Sequence, residues 1–159
     1  MKLYRFSPIQ NREELIAALS YVVIQTSELC RNIIATRLPT TSATVFTHYP
    51  NEYGHLINIL RELGTQQGEV NGFRVILHES LTVGDNSITH LRVRPPDPYR
   101  MQVGCNDFTV DDYEKFKTEH LEAHPHNLRL IQRQDYEMIE FFDPDYDVFA
   151  YVLSKPIYI

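Results

Sequence analysis

The stretch VGCNDFTVDDYEKFKTEHLEA, residues 103–123, reads as a strand running into a helix. Val103 to Val110 carries the β-branched, aromatic and small residues of a pleated segment. Asp111-Asp112 then offers carboxylate acceptors to the free N–H groups of a helix start. Tyr113, Phe116 and Leu121 recur at helical spacing as far as Ala123, and Pro125 stops the run. Upstream the same order occurs once more. Residues 43–49 (ATVFTHY) read as a strand, Pro50-Asn51 opens a helix whose stripe is Tyr53, Leu56, Ile57, Leu60 and Leu63, and Gly64 fits the stop. The helix starts at Asn51 and Asp111 are 60 residues apart, and Phe46-Thr47 echoes Phe108-Thr109. Further strands follow each helix: 73–79 and 88–94 around the turn Gly84-Asp85-Asn86, then 128–133, 137–142 and 148–153 around Asp143-Pro144-Asp145. The expectation is an α+β fold of two βαβββ-like modules forming a mixed curved sheet, helices on one face and a concave or dimer-paired face opposite.

Ahead of the modules, Arg12 to Ala35 carries Leu15, Leu19, Val22, Val23, Thr26, Leu29, Cys30 and Ile33 at helical spacing. Asn11 followed by Glu14 has capping-box spacing. Such a helix spans on the order of 35 Å, long enough to cross a small domain or reach a neighbouring subunit. The organisation expected is a single domain: residues 1–40 as an N-terminal strand and helix, 41–97 as the first module and 98–159 as the second. Pro95-Pro96-Asp97-Pro98, unable to sit in a central strand, is the hinge between them.

The 159 residues have 43% apolar and 23% charged side chains, ordinary globular proportions, and a formal charge of −6. An acidic chain lacks the basic face that releases counterions from nucleic acid, so nucleic acid is not an expected partner. No stretch is apolar enough to span a membrane and MKLYRFSPIQ is no signal peptide, so a cytoplasmic protein is expected. Cys30 and Cys105 form neither a disulfide framework nor a metal-binding pair. No cofactor class is indicated: phosphate-cradling loops, the dinucleotide fingerprint and the serine nucleophile elbow are all missing.

Residues 103–123, the FFDPD turn at 141–145 and RELG at 61–64 resemble the vicinal oxygen chelate superfamily, the glyoxalase and bleomycin-resistance type of protein, over about residues 43–153. The resemblance implies two βαβββ modules curving around a ligand cavity, often within a homodimer. It also implies a metal set at positions occupied here by Thr44, Gly104 and Ala150, none of which is a metal ligand, so a metal-free binding member is the expectation.

Four groups of side chains bear chemistry. His90, Arg92 and Arg94 alternate with Leu91 and Val93, so a strand would present an imidazole and two guanidiniums on one face, suited to a carboxylate or phosphate. Tyr99 and Arg100 follow the hinge and could close over such a ligand; a solvated strand face is the plainer alternative. His48 at a strand end and Glu140 between Ile139 and Phe141 are the candidate proton-transfer residues, with His78-Glu79 nearby in kind. His120, His124 and His126 form the densest histidine cluster, but without a general-base motif they fit the end of a helix better than a metal site. Cys105 as a nucleophile has no histidine near it in sequence. The function expected is binding of a small anionic organic molecule in a sheet cavity, with or without an enzymatic step. The alternatives are a non-catalytic dimeric interaction protein using the long helix and the aromatic stretch Tyr151 to Ile159, and a metal-dependent lyase or dioxygenase.

Overall fold

In the computed structural model, which describes residues 3–69 and 71–156, the element order is α1 (Arg12–Ile34), β1 (Ser42–Phe46), α2 (Pro50–Leu63), β2 (Gly64–Gly68), β3 (Phe73–Val83), β4 (Asn86–Arg94), β5 (Gly104–Phe108), α3 (Tyr113–His120), β6 (Leu128–Gln132), β7 (Glu137–Phe141) and β8 (Val148–Leu153). The strands form one curved, open eight-stranded sheet in the order β2-β3-β4-β1-β5-β8-β7-β6. In each half the first strand pairs in parallel with the last, β1 with β4 and β5 with β8, and antiparallel ladders complete the half. A short antiparallel seam, Thr44 opposite Cys105 and Val45 opposite Gly104, joins the halves. The architecture is therefore two βαβββ units side by side, preceded by a long helix.

Helix α1 starts as its spacing predicts. The Asn11 side chain accepts from the Glu14 N–H at 2.9 Å, and the Glu14 carboxylate accepts from the Gln10 N–H at 2.7 Å. Its buried stripe, Leu15 through Ile34, packs across β1, β5 and β8, so the helix covers the seam between the halves. That explains its length, since neither module could bury the other's first strand alone. Gly104 makes the close approach feasible: a Cβ there would meet the Thr44 carbonyl oxygen at 2.1 Å and Val22 Cγ2 at 2.8 Å. Helix α2 covers β2, β3 and β4. Glu52 in its first turn, buried, accepts from the His48 N–H at 2.7 Å and from the Ile9 N–H, tying the entering chain to the helix. Helix α3 lies against the second half through Phe116 on Phe141 and an ion pair between Lys117 and Glu137 at 2.7 Å.

The pleat sorts the sheet into two faces. Val45, Phe73, Val75, Leu91, Val93, Phe108, Ile139, Phe141, Val148, Ala150 and Val152 are buried under the helices in the main core. Phe46, Cys105, Met138, Phe149, Tyr151 and Leu153 form a second cluster on the opposite, open face.

Several elements differ from the sequence-based expectation. Residues 3–11 are irregular rather than a strand. Strand β1 ends at Phe46 because the Thr47 hydroxyl turns onto the Arg94 carbonyl at 2.6 Å and His48 starts the turn into α2. Gly64 ends α2 and at once begins β2, a polar GTQQG strand with no hydrophobic alternation to announce it. Helix α3 stops at His120, one turn short of Ala123. The echo between Phe46-Thr47 and Phe108-Thr109 is out of phase by one residue: Phe46 faces the open side and Phe108 the helices. Among the described residues no helix is long and apolar enough to cross a membrane. Both cysteines are buried thiols, and burial pushes them above their usual pKa.

Candidate functional site

The open face has a chemical gradient set by strand register. Arg74 of β3 lies opposite Arg92 of β4, Arg92 opposite Thr44 of β1, Thr44 opposite Cys105 of β5, and Cys105 opposite Phe149 of β8. A second row continues from Asp107 to Tyr151, Glu140 and Arg129. His90, Arg92 and Arg94 share this face while Leu91 and Val93 enter the core, as the alternation predicts. Like charges placed directly opposite on a sheet are unfavourable, yet Arg74 and Arg92 are both buried. Arg92 is held by the Thr44 hydroxyl, to which its Nε donates at 3.1 Å. Its guanidinium also reaches Asp107 at 3.9 Å and lies 4.0 Å from the Cys105 sulfur.

Around this point lies a hollow of about 150 Å3 whose lining includes Arg92, Arg94, Arg100, Arg133, Tyr136 and Tyr151. Among the described residues, Asp107 is the one carboxylate in that lining. Arg94 stacks over the Phe46 ring at 4.9 Å and Arg100 over the Phe149 ring at 5.0 Å. Stacking uses the flat face of a guanidinium and leaves its edge N–H donors for an acceptor. The Tyr151 hydroxyl is pushed well above the ordinary phenol value, chiefly by burial, with the neighbouring Cys105 and Glu140 groups adding to the rise. It stays protonated at neutral pH and is a hydrogen-bond donor.

The other expected residues are distributed around the hollow or away from it. His90 lines an adjoining hollow of about 430 Å3 that shares Asp107 and Leu153 with the arginine site. Burial, and then the Arg74 charge, lowers its pKa, so it is a neutral ring there. Its Nδ1 lies 2.8 Å from the Thr89 hydroxyl. Arg100 enters the site, whereas its neighbour Tyr99 is 90% exposed and stays outside. Glu140 faces the open side, 3% exposed, with Oε1 accepting from Arg129 at 2.7 Å. Its Oε2 accepts no hydrogen bond. It borders a third hollow of about 400 Å3, next to Arg100, His126, Phe142 and Phe149.

His48 and Glu140 are not brought together. The His48 ring lies 2.7 Å from the Ser7 hydroxyl through Nδ1 and 3.1 Å from the Gln102 carbonyl through Nε2, and it stacks on Tyr4 at 3.9 Å. Both ring nitrogens are engaged, and burial lowers its pKa against the opposing pull of Glu52. The arrangement latches the N-terminal lead to the β4–β5 connection. His78 sits near Thr65 at the sheet edge, and the His120 and His124 rings stack at 6.3 Å. Among the described residues no group of three or more His, Cys, Asp or Glu side chains is placed to hold a metal.

Arg74, Asp107 and Arg133 were not singled out from sequence, and Tyr151 was named there only as the start of the aromatic C-terminal stretch. A signal was present in the alternation of Arg74, Ile76 and His78 and of Arg129, Ile131 and Arg133, which is the same pattern as His90, Arg92 and Arg94.

No protein-family description and no curated protein match the chain. Among solved structures, a structural-genomics protein, EC4020, is similar over 99% of this chain and 93% of its own, with a TM-score of 0.67 at 12% identity. The SMU.1112c crystal structure matches 72% of this chain and 97% of its own at 17% identity, with a TM-score of 0.28, too low to carry an argument. The first likeness shows a shared overall fold.

Proposed function

We propose that the protein binds a small organic anion in the arginine-lined hollow of its open face, within an architecture of the vicinal oxygen chelate type. One observation carries the reading: among the described residues, four guanidiniums, from β4, the β4–β5 connection and the residue after β6, line one hollow together with the Asp107 carboxylate. Like charges gathered in one hollow repel one another, and a bound carboxylate or phosphate relieves that repulsion through charge-assisted hydrogen bonds. Tyr151 adds a neutral donor.

A metal of the kind that family uses does not fit these residues. Gly104 and Ala150 face the helices, and Thr44 is bonded to Arg92. The side chains of β5 and β8 on the open face are instead Cys105, Asp107, Phe149, Tyr151 and Leu153.

Calorimetric titration with inorganic phosphate and with acetate, on the native chain and on an Arg94→Ala, Arg133→Ala double variant, tests the proposal. Saturable binding by the native chain that the double variant loses is expected. Equal binding by both proteins, or none by the native chain, would overturn it. An interaction surface is the second reading, favoured by Leu3, Tyr99 and Met101 at 77%, 90% and 59% exposure. Light scattering that shows one monomeric species across a hundredfold concentration range would remove its homodimeric form. The aromatic C-terminal stretch invoked for partner contacts falls partly outside the described residues, at 157–159.

A further inference from the structure

Resting on that anion-site reading, we infer that the ligand is a planar aromatic body carrying a compact dianion, of which an aromatic phosphomonoester is the simplest form. The charge of the hollow argues for the dianion. Beside the Arg92–Asp107 pair, Arg94, Arg100 and Arg133 line the hollow without an ion pair among the described residues, three guanidiniums that a monocarboxylate does not balance. Its size argues for a compact head. At about 150 Å3 it is smaller than the roughly 300–1,000 Å3 typical of whole-ligand sites, so the remainder of an organic ligand must lie elsewhere.

Arg100 indicates where. It lines both the arginine hollow and the neighbouring 400 Å3 hollow, its guanidinium over the Phe149 ring. Phe142 and Phe149 stack there at 6.2 Å with an interplanar angle of 26°, and Phe142 is 41% exposed. An exposed aromatic ring beside a buried one offers a platform for a third flat ring. Among the described residues the ion pair at this hollow is Arg129 with Glu140 Oε1 at 2.7 Å, so its cation is already matched. The second hollow therefore suits an uncharged body better than another acidic group. A ligand bridging the two places its dianion among the arginines and its ring on Phe142.

Calorimetry at pH 8 and low salt with four probes, acetate, benzoate, inorganic phosphate and phenyl phosphate, tests this; at that pH the monoester is dianionic, its second pKa being about 6. Phosphate is expected to bind roughly tenfold or more tightly than acetate, and phenyl phosphate roughly tenfold more tightly than phosphate. Phe142→Ala should remove the second gain and leave phosphate binding unchanged, with Phe142→Leu as the conservative check and circular dichroism confirming that each variant is folded. Acetate and benzoate binding as tightly as the phosphates would overturn the dianion while leaving the anion site standing. Phenyl phosphate binding no better than phosphate, or a gain untouched by both Phe142 variants, would overturn the aromatic platform. No binding of any probe by the native chain would overturn the anion site itself.

Discussion

The two βαβββ halves share topology and differ on the open face. The first presents Arg74, His90, Arg92 and Arg94; the second presents Asp107, Glu140, Tyr151 and Phe149 beside Arg129 and Arg133. Their helix-covered faces are alike, rows of Val, Leu, Ile and Phe at near-zero exposure. The covered face answers to packing, which accepts any apolar side chain of about the right volume. The open face has no such constraint, and there the halves diverge into a basic side and a mixed acidic and aromatic side. The candidate site lies where the two meet.

The strongest way to break the comparison is at the seam. Gly104→Ala drives a methyl into the Thr44 carbonyl and Val22, and should cost about 3 kcal/mol or more in urea-unfolding free energy. Gly54, within α2 and with open space around it, is the control: Gly54→Ala should be neutral or stabilise by about 0.5–1 kcal/mol. Equal effects at the two glycines would mean that the halves do not depend on that close approach.

Next in size is the anion site. If both halves supply its charge, Arg94→Ala and Arg133→Ala should each weaken phosphate binding about tenfold and together about a hundredfold, or ~2.7 kcal/mol. An unaffected Arg133→Ala protein would assign the site to the first half alone.

Within the second half, Arg129→Ala should cost about 2 kcal/mol of stability, because it strands a buried carboxylate. The buried-pair value is reduced because Arg129 is 68% exposed. Glu140→Gln should cost less than half as much, since Arg129 then turns to water. The reverse order, read from denaturation midpoints, would mean that Glu140 does not depend on this partner.

The smallest expected effect is with pH. His48 and His90 both titrate below the ordinary 6.5, chiefly through burial, with Arg74 also opposing charge on His90 while Asp107 lines the same hollow. The unfolded chain therefore takes up their protons first as pH falls. Their contribution to stability is complete above about pH 6.5 and is lost below it. A His48→Gln, His90→Gln protein should show a flatter decline in melting temperature between pH 7 and 5; an unchanged slope would remove both groups as its source.

Much of the fold was readable because local chemistry and packing agreed. The Asn11–Glu14 cap, Pro50 at the start of α2 and the Leu91/Val93 alternation each mark an element and the face it buries. Strand β2 was not readable, since GTQQG is held in the sheet by its ladder with β3 rather than by its side chains. The same limit applied to the site. Alternation put Arg92 and Arg94 on one face, but pairing them with Arg133 and Tyr151, and separating His48 from Glu140, depended on strand order and register across the seam.

Residue order along the chain determined where helices begin, which strand positions meet the core and that two similar units follow a long helix, because each of these is set by neighbours within a few residues. Tertiary structure alone decided that β1 joins β5 antiparallel, that α1 closes over that joint, and that arginines more than thirty residues apart share one hollow. Strand registration couples positions with no proximity along the chain, and a one-residue change in it would exchange every open-face side chain for a buried one.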